Sequence, residues 1–279
     1  MRTEDYLPRA AVIKKITVEN SQIKTFELAF ADEESNRSFH YLPGQFMMVS
    51  VPHHGEAPIS FSSTPTRPGT IELSVRRAGD LTGIMHTMEA GDQIGLRGPY
   101  GKPFPLAALE GRHMLFIAGG IGLAPLRSVI NYCLDREASF PRLTILYGSR
   151  LPSDIAFHTD LAAWRDHPRV SCLLTVDGAE PGWDGAVGLV TALLDRVDVD
   201  PVASTALVCG PPMMIGATLT ELSGRGFADE NILTTMERHM KCGIGVCRHC
   251  HMDSKLVCVD GPVFSRAQLL RLDVAELRP

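Results

Sequence analysis

Short apolar runs alternate with glycine, proline and charged turns over the first hundred residues of the chain. Six of these runs have the β-branched and aromatic composition of strands, and one helical segment interrupts them. The strands are AAVIKKITVEN, IKTFELAFA, GQFMMVSVP, PISFSSTP, TIELSVRRA and DQIGLRGPYG, and the helix is TGIMHTMEA, with Thr82 as its predicted N-cap. Strands at this spacing indicate a closed barrel or a sandwich.

The pattern changes near Arg112, where apolar strands begin to alternate with helical segments. The predicted strands are HMLFIAG, LTILYGS, VSCLLTV, TALVCG and NILTTM, and the helices are APLRSVINYCLDRE, IAFHTDLAAW, GLVTALLDRV and PPMMIGATLTELSGRG. This alternation predicts a doubly wound parallel sheet of the α/β class. The chain therefore divides into a β-barrel at 1–108, an α/β domain at 109–230 and a small lobe at 231–279.

Composition narrows the functional classes. The net charge of −5 has no basic stripe within it, which argues against nucleic-acid binding. The apolar stretch Met114–Leu126 is too short and too rich in glycine to span a bilayer. The first fifteen or so residues lack the apolar core of a signal peptide. We therefore expect a soluble cytoplasmic protein without a membrane span.

Cysteine placement gives the first chemical signal. Cys133 and Cys172 lie singly among apolar residues, as small buried hydrophobes do. Four of the seven cysteines instead cluster near the end of the chain with the spacing C-x4-C-x2-C-x7-C, at Cys242, Cys247, Cys250 and Cys258. In a reducing compartment such a cluster favours metal or cofactor ligation over disulfides.

The spacing of the cluster favours iron over zinc. Plant-type [2Fe–2S] ferredoxins share the form C-x4-C-x2-C…C, whereas structural zinc sites usually pair two short knuckles. Gly243 and Gly245 suit a loop wrapped closely around a cluster. A mixed zinc site that uses His249 or His251, or a set of free thiols, is the alternative.

Two turns of the α/β region are candidate nucleotide sites. AGGIGLAP, at Ala118–Pro125, joins a strand to a helix, where glycines let the backbone approach a pyrophosphate. The spacing is not G-x-G-x-x-G, so a tight turn without a ligand is the alternative. CGPPMM places Cys209 at the carboxyl end of a later strand, facing the same crevice, or simply in the core.

Together these motifs carry a resemblance. The order of barrel, GPYG (Gly98–Gly101), GGIGLAP and CGPPMM resembles the ferredoxin-NADP reductase superfamily over essentially the whole chain. The resemblance implies a β-barrel flavin domain that binds FAD, an α/β doubly wound parallel-sheet nucleotide domain that binds NAD(P)H, and a small C-terminal iron–sulfur lobe. It also implies nucleotide contacts by Gly119, Gly120, Gly122, Ala124, Pro125, Cys209, Gly210 and Pro211. Arg150, after the second strand, is a candidate for a 2′-phosphate, and the choice between NAD and NADP stays open.

The flavin motif of this superfamily, R-x-Y-S, is altered here to APIS, with Ala57 in place of the arginine and Ile59 in place of the tyrosine. By resemblance Pro58, Ile59 and Ser60 line the flavin, with the Ser60 hydroxyl near N5. A second element, G-x-x-[ST], is matched from Gly79 through Leu81 to Thr82, and Arg76 with its neighbour Arg77 can supply the missing positive charge.

The cysteine lobe narrows the resemblance. It is similar to the gamma subunits of cytoplasmic [NiFe] sulfhydrogenases, to the flavin subunit of anaerobic sulfite reductase and, more distantly, to the electron-transfer subunit of dihydroorotate dehydrogenase. The implied activity moves a hydride between NAD(P)H and FAD, with Ser60 and Cys209 as catalytic residues, and moves single electrons through a [2Fe–2S] cluster. The implied partners are hydrogenase-type or other redox subunits of a heteromeric complex, with an iron–sulfur electron-transfer subunit as nearest neighbour. A stand-alone reductase and a non-enzymatic electron-transfer adaptor are the alternatives.

Overall fold

In the computed structural model, which describes residues 6–274 and residue 277, the N-terminal part forms a sheet of six antiparallel strands. These are β1 (Arg9–Val18), β2 (Ile23–Phe30), β3 (Phe46–Val51), β4 (Gly55–Ser60), β5 (Ile71–Arg76) and β6 (Gln93–Tyr100). Their order is β4-β3-β6-β1-β2-β5. An antiparallel bridge between Phe61, just after β4, and Leu73 of β5 joins the two edges. The predicted barrel is confirmed.

Alternating side chains of these strands fill the barrel. Met47 and Val49 of β3 belong to its buried core, together with Phe61 and Tyr41, whose rings stack with centroids 3.9 Å apart. The intervening residues Phe46 and Met48 are buried as well, although alternation turns them to the other face of the strand. Strand β3 is thus covered on both faces, which explains its continuous apolar run.

Two short helices accompany the barrel. Helix α1 (Glu33–Ser38) lies between β2 and β3 and begins at Asp32, whose side chain accepts from the Ser35 N–H; the sequence analysis missed it. Helix α2 is Asp80–Met85, so it begins earlier than predicted. The predicted N-cap, Thr82, is wrong because the cap is Gly79 and Thr82 lies inside the first turn.

The remaining strands and helices follow in chain order. The strands are β7 (His113–Gly119), β8 (Leu143–Ser149), β9 (Val170–Val176), β10 (Ala186–Val187), β11 (Ser204–Cys209), β12 (Ile232–Thr235), β13 (His251–Met252), β14 (Lys255–Leu256) and β15 (Val263–Ser265). The helices are α3 (Leu123–Asp135), α4 (His158–Asp166), α5 (Pro212–Gly224), α6 (Val257–Asp260) and α7 (Arg266–Leu269). Within the described residues, no helix is both long and apolar enough to cross a membrane.

Seven of these strands form the second sheet, in the order β10-β9-β8-β7-β11-β12-β15. The pairings from β10 to β12 are parallel, so the predicted parallel sheet is confirmed. The chain moves outward from β7 to β10 and then returns to place β11 on the other side of β7. The carboxyl ends of β7 and β11 therefore form the topological switch point, where open α/β sheets bind ligands.

One predicted helix takes a different form. GLVTALLDRV was predicted to be α-helical, but Val190–Arg196 is a 3₁₀ helix. Its buried residues are Val190, Leu193 and Leu194, a spacing that suits either type of helix, so the sequence pattern does not distinguish the two. Val190 also packs directly against Gly148 of β8, where an added Cβ would lie 2.9 Å from the Val190 Cβ.

The chain folds into two compact units that do not follow its linear order. The barrel unit consists of Met1–Phe104, Arg127–Tyr132 and Met236–Val263, and the sheet unit of Pro105–Leu126, Cys133–Thr235 and Phe264–Pro279. The predicted boundaries at 108 and 230 stay predictions. The cysteine-rich segment is part of the barrel unit. Residues 1–5, which begin the segment predicted to lack a signal peptide, and residues 275, 276, 278 and 279 of the predicted lobe lie outside the described residues.

We predict that Phe61→Ala lowers the free energy of unfolding by about 3–5 kcal/mol, because it opens a cavity in the barrel core where Tyr41 stacks. Urea unfolding measures the change. Val18→Ala is the control, since Val18 on β1 is 65% exposed and its truncation costs at most about 0.5 kcal/mol. Equal losses in the two variants contradict the assigned core.

Candidate functional site

The two predicted nucleotide turns meet at the switch point of the sheet unit. Ala118 of β7 pairs with Cys209 of β11, and the turns that follow them lie side by side. A Cβ added to Gly122 would lie 2.4 Å from the Cys209 carbonyl oxygen and 2.7 Å from the Gly210 nitrogen. Only glycine at position 122 permits this backbone contact, so the structure brings together residues that lie 87 positions apart in the sequence.

Gly119 and Gly120, the other two glycines of this turn, have different roles, and Gly210 of the second turn resembles Gly119. Added Cβ atoms on Gly119 and Gly210 would lie 2.4 Å and 2.8 Å from the sulfur of Met214, so this side chain packs against both turns. Gly120 has φ +54° and open space beside it. Gly120 is therefore required for its left-handed backbone conformation and not for close packing.

The turn leads into α3, whose N-terminus favours an anion. Ala124 and Pro125 lie in the first turn of this helix and are buried. Proline is tolerated there because the first-turn N–H groups have no intrahelical partner. Pro211 is exposed just before α5. The predicted contacts of these three residues with a nucleotide stay predictions.

Cys209 has a partner that the sequence analysis missed. The Thr235 hydroxyl at the end of β12 donates to the Cys209 Sγ at 2.8 Å, and both side chains are buried. β12 lies beside β11 in the sheet, which brings Thr235 to Cys209. No local pattern in the sequence connects the two residues. The pair orients the thiol at the switch point.

Arg150, the predicted 2′-phosphate contact, follows β8 directly. Its side chain is 78% exposed, and its Nη2 lies 3.0 Å from Asp154 Oδ2. Because the arginine of this pair is solvent-exposed, the pair contributes little to stability. The guanidinium therefore faces solvent with an acidic neighbour, and the choice between NAD and NADP stays open.

The predicted flavin residues lie on β4 and at the start of α2. Pro58, Ile59 and Ser60 are half-buried on β4, where they pair with β3. The Thr82 hydroxyl accepts from the Ala78 and Gly79 N–H groups at 2.8 and 2.9 Å, and its predicted contact with the flavin pyrophosphate stays a prediction. Thr82 thus holds the turn together.

Beside this turn lies an open cleft of about 560 Å³, lined by Gln22, Arg77, Ala78, Gly79, Asp80, Gly83 and Ile84. Arg77 rather than Arg76 contributes the cationic side chain to this lining. Arg76 is the exposed last residue of β5, and Leu81 is buried. The turn and the arginine beside it suit an anionic group.

The four clustered cysteines occupy a loop of the barrel unit. Cys250 and Cys258 are buried, with their sulfur atoms 3.2 Å apart. The Gly245 N–H donates to Cys258 Sγ at 3.2 Å, and the Cys247 N–H donates to Cys242 Sγ at 3.4 Å. Four thiols with backbone N–H groups directed at sulfur are the donor set that an iron–sulfur cluster needs. The residues therefore fit such a group.

The acidity of Cys242 follows from the same loop. Burial opposes its ionisation, but the N–H groups of Cys247, Ile244 and Val246 outweigh burial and lower its pKa to about 7. A thiol that ionises readily is a good metal ligand, because the thiolate is the form that binds metal.

Cys258 behaves in the opposite way, since burial and the neighbouring Cys250 thiol raise its pKa to about 12.

His249 and His251, the candidate ligands of the zinc alternative, are exposed, and the His249 ring packs edge-on against His239. Among the described residues, no three His, Cys, Asp or Glu side chains, the clustered cysteines included, converge closely enough to hold a single metal ion, so the fit to a cluster rests on the chemistry of the four sulfur donors.

The cysteine loop packs on strands β3 and β6 of the barrel. A Cβ added to Gly243 would lie 2.9 Å from Met48 Cγ and 3.1 Å from Tyr100 Cδ2. At the other end of the loop, the Lys102 N–H donates to the Gly261 carbonyl at 2.5 Å. The GPYG motif therefore lies under the cysteine loop, and the outer face of β3 is buried by it.

Three known family models match successive parts of the chain. A model of the oxidoreductase FAD-binding domain matches residues 10–104, and a model of the oxidoreductase NAD-binding domain matches residues 116–220. A model of the iron–sulfur cluster binding domain of dihydroorotate dehydrogenase B matches residues 237–270. All four clustered cysteines fall in the third match.

Relatives match nearly the whole chain. The sulfhydrogenase 2 subunit gamma of Pyrococcus furiosus is 38% identical over 276 residues, 93% of this chain and 94% of the relative. The sulfhydrogenase 1 subunit gamma of the same organism is 36% identical, over 93% of this chain and 90% of the relative. A probable dihydroorotate dehydrogenase B electron transfer subunit of that organism is 31% identical, with 94% of each covered. A chain from the solved structure of an NADH-dependent reduced ferredoxin-NADP oxidoreductase shares the fold, with a TM-score of 0.75, 22% identity, and coverage of 97% of this chain and 91% of that one.

We predict that Gly122→Ala lowers the free energy of unfolding by about 1–3 kcal/mol, because its Cβ meets the Cys209 backbone, which cannot move aside as a side chain can. Thermal or urea unfolding measures the loss. Gly224→Ala at the end of α5 is the matched control: it has open space at its Cβ, and its stability stays equal or rises by up to about 1 kcal/mol. A neutral Gly122→Ala contradicts the contact between the turns.

We predict that alkylation of Cys242 in metal-free, reduced protein reaches half its maximal rate near pH 7. The thiolate is the reactive form, so a pKa lowered from the ordinary value of 9.0 moves the rise in rate to lower pH. Peptide mass spectrometry after pulses of iodoacetamide measures the profile. Burial raises the pKa of Cys172 to about 11, and this internal control stays unreactive near pH 7. A Cys242 profile centred near pH 9 overturns the role of the loop N–H groups.

Proposed function

Because the chain belongs to the ferredoxin-reductase-type oxidoreductase family that includes sulfhydrogenase gamma subunits and dihydroorotate dehydrogenase B electron transfer subunits, we propose that it exchanges electrons between NAD(P)H and a partner subunit. The proposed cofactors are FAD and a [2Fe–2S] cluster. The proposed complex is a cytoplasmic [NiFe] hydrogenase or sulfhydrogenase, in which an iron–sulfur subunit is the nearest neighbour.

The observation that carries the proposal is the position of the cysteine loop. It packs on β3 and β6 of the barrel that matches the FAD-binding model, and Met48 of β3 pairs with Pro58 of β4. One barrel therefore supports both the candidate flavin strand and the candidate cluster loop. This arrangement suits electron passage between two bound groups within one unit.

The chemistry comes from the bound groups: a flavin exchanges a hydride with nicotinamide and single electrons with an iron–sulfur cluster. The chain's own residues bind and orient these groups. Cys242, Cys247, Cys250 and Cys258 are the proposed ligands of the cluster, and N–H groups of their loop donate to two of the sulfurs. The N–H donors stabilise the thiolate form that ligation requires.

The candidate flavin residues form two groups. In the proposal the half-buried Ser60 on β4 places its hydroxyl at flavin N5, and the turn at Gly79, with Arg77 beside it, meets the flavin phosphates. Ala57 stands where related motifs carry an arginine, so Arg77 is the proposed substitute for that charge.

In the sheet unit, the turn at Gly119–Gly122 is the proposed site of the nucleotide pyrophosphate, next to the N-terminus of α3. Cys209, whose thiol accepts from the Thr235 hydroxyl, is proposed to lie at the nicotinamide. The hydroxyl fixes the direction of the thiol. A fixed side chain here orients the nicotinamide for transfer without itself moving a proton.

Two observations bear on the partner. Identities of 38% and 36% to sulfhydrogenase gamma subunits favour a hydrogenase-type complex. The match of residues 237–270 to the dihydroorotate dehydrogenase B model favours, as a second candidate, a partner of that kind. The cytoplasmic location is part of the proposal and is supported by the cluster of four cysteines, because a reducing compartment favours metal or cofactor ligation over disulfides.

We predict that anaerobically purified and reconstituted protein binds one FAD and about two iron and two sulfide per chain, and that NADH or NADPH bleaches the flavin band. Absorption spectra during titration with each nucleotide, together with iron, sulfide and flavin analyses, measure this. Cys247→Ser removes the iron–sulfur absorbance and leaves flavin reduction by the nucleotide intact, because the exposed Cys247 serves the cluster alone.

Cys172→Ser is the control, since Cys172 lies on β9 outside the cysteine loop, and it retains both signals. A protein that binds zinc in place of iron overturns the cluster assignment. A protein that binds neither flavin nor nucleotide overturns the proposed function as a whole.

A further inference from the structure

A buried arginine connects the candidate flavin strand to the cysteine loop. Arg97 on β6 is 5% exposed in its side chain and forms an ion pair with Glu56 on β4. Its Nε donates to Glu56 Oε1 at 2.8 Å, and its Nη2 donates to Glu56 Oε2. This two-pronged contact matches the fork of the guanidinium to the carboxylate.

The remaining nitrogen of the guanidinium points to the cysteine loop. Arg97 Nη1 donates to the Cys242 carbonyl oxygen at 3.0 Å, and the Tyr100 hydroxyl lies 3.4 Å from the same nitrogen. Cys242 is the first of the four clustered cysteines. One rigid cation is therefore bonded to a carboxylate on β4 and to the backbone of a proposed cluster ligand.

We propose that Arg97 is a positioning residue for the iron–sulfur cluster, which holds Cys242 in place and, with Glu56 as its counter-charge, sets the reduction potential of the cluster. This inference rests on the proposed function, since it requires a cluster at Cys242. It concerns the reduction potential of the cluster, which the proposed function does not assign to any residue.

The physical basis is the partial burial of the pair, in which Arg97 is buried and Glu56 is half-buried. Reduction adds one negative charge to a cluster, so a nearby cation favours the reduced form and a nearby anion disfavours it. Charges within a protein are screened by salt much less than exposed charges are. The two members of the pair therefore act on the potential with opposite signs.

The rest of the loop has its own attachment to the barrel. The Lys102 N–H donates to the Gly261 carbonyl, and Tyr100 packs against Gly243. Loss of Arg97 therefore removes one attachment and leaves the others. Variants at position 97 are expected to fold, which makes the electrostatic role measurable.

The test is the midpoint potential of the cluster, measured by a redox titration followed by electron paramagnetic resonance. In Arg97→Met the partly buried carboxylate loses its cation, and we expect the equilibrium constant for cluster reduction to fall about tenfold, a shift of about 59 mV to lower potential for a one-electron couple. In Glu56→Gln the cation loses its anion, and we expect a shift of similar size to higher potential.

A second measurement does not require the cluster. In metal-free protein, hydrogen exchange of the amides from Cys242 to Cys247 becomes faster in Arg97→Met, because the Cys242 carbonyl loses its donor. Arg97→Lys keeps the charge but loses the fork, so the potential stays close to that of the unaltered protein while exchange becomes faster. Arg266→Met is the matched control: Arg266 pairs with Asp229 in the sheet unit, and its loss leaves both measurements unchanged.

Opposite shifts in Arg97→Met and Glu56→Gln support the inference. Shifts of the same sign, or none, overturn it, because a purely structural role disturbs the loop without regard to charge. If the unaltered protein binds no iron–sulfur cluster, the proposed function fails instead, and the exchange measurement still shows whether Arg97 holds the loop. The two failures are thus distinguishable.

Discussion

The cysteine loop has little hydrogen-bonded structure of its own, so its conformation depends on the barrel against which it packs. Its regular elements are two two-residue strands and a four-residue helix. Such pieces are too short to be stable alone. Their support comes from β3 and β6, where Gly243 contacts Met48 and Tyr100. The barrel is therefore a folding template for the loop as well as a candidate flavin site.

Glycines permit tight packing at both candidate sites. Gly122 contacts the backbone of Cys209 in the sheet unit, and Gly243, at φ +75°, lies against the side chains of Met48 and Tyr100 in the barrel unit. In each case a Cβ would separate two segments that carry the chemistry, so glycine is required by packing. The glycines are as much part of the sites as the thiols and hydroxyls beside them.

Local patterns predicted most of the elements because strand and helix periodicities depend on neighbours in sequence. The barrel strands, the parallel sheet and the switch-point turns followed from those periodicities. The predictions were wrong where one local pattern is compatible with two structures. Thr82 was assigned as a cap on its residue type, yet its hydroxyl accepts from Ala78 and Gly79 inside the turn. The 3₁₀ helix at Val190 was assigned as α-helical because both helices bury residues three apart.

The sequence by itself determined the order of the elements, the spacing of the four cysteines and the placement of glycines at turns. These features depend on covalent distance and on local backbone freedom. Only the tertiary structure decided that Thr235 meets Cys209 and that Arg97 joins Glu56 to Cys242. Arg97 is 145 residues away from Cys242 along the chain. No local pattern encodes such a pair, because the hydrogen bond exists only after β6 and the cysteine loop have packed together.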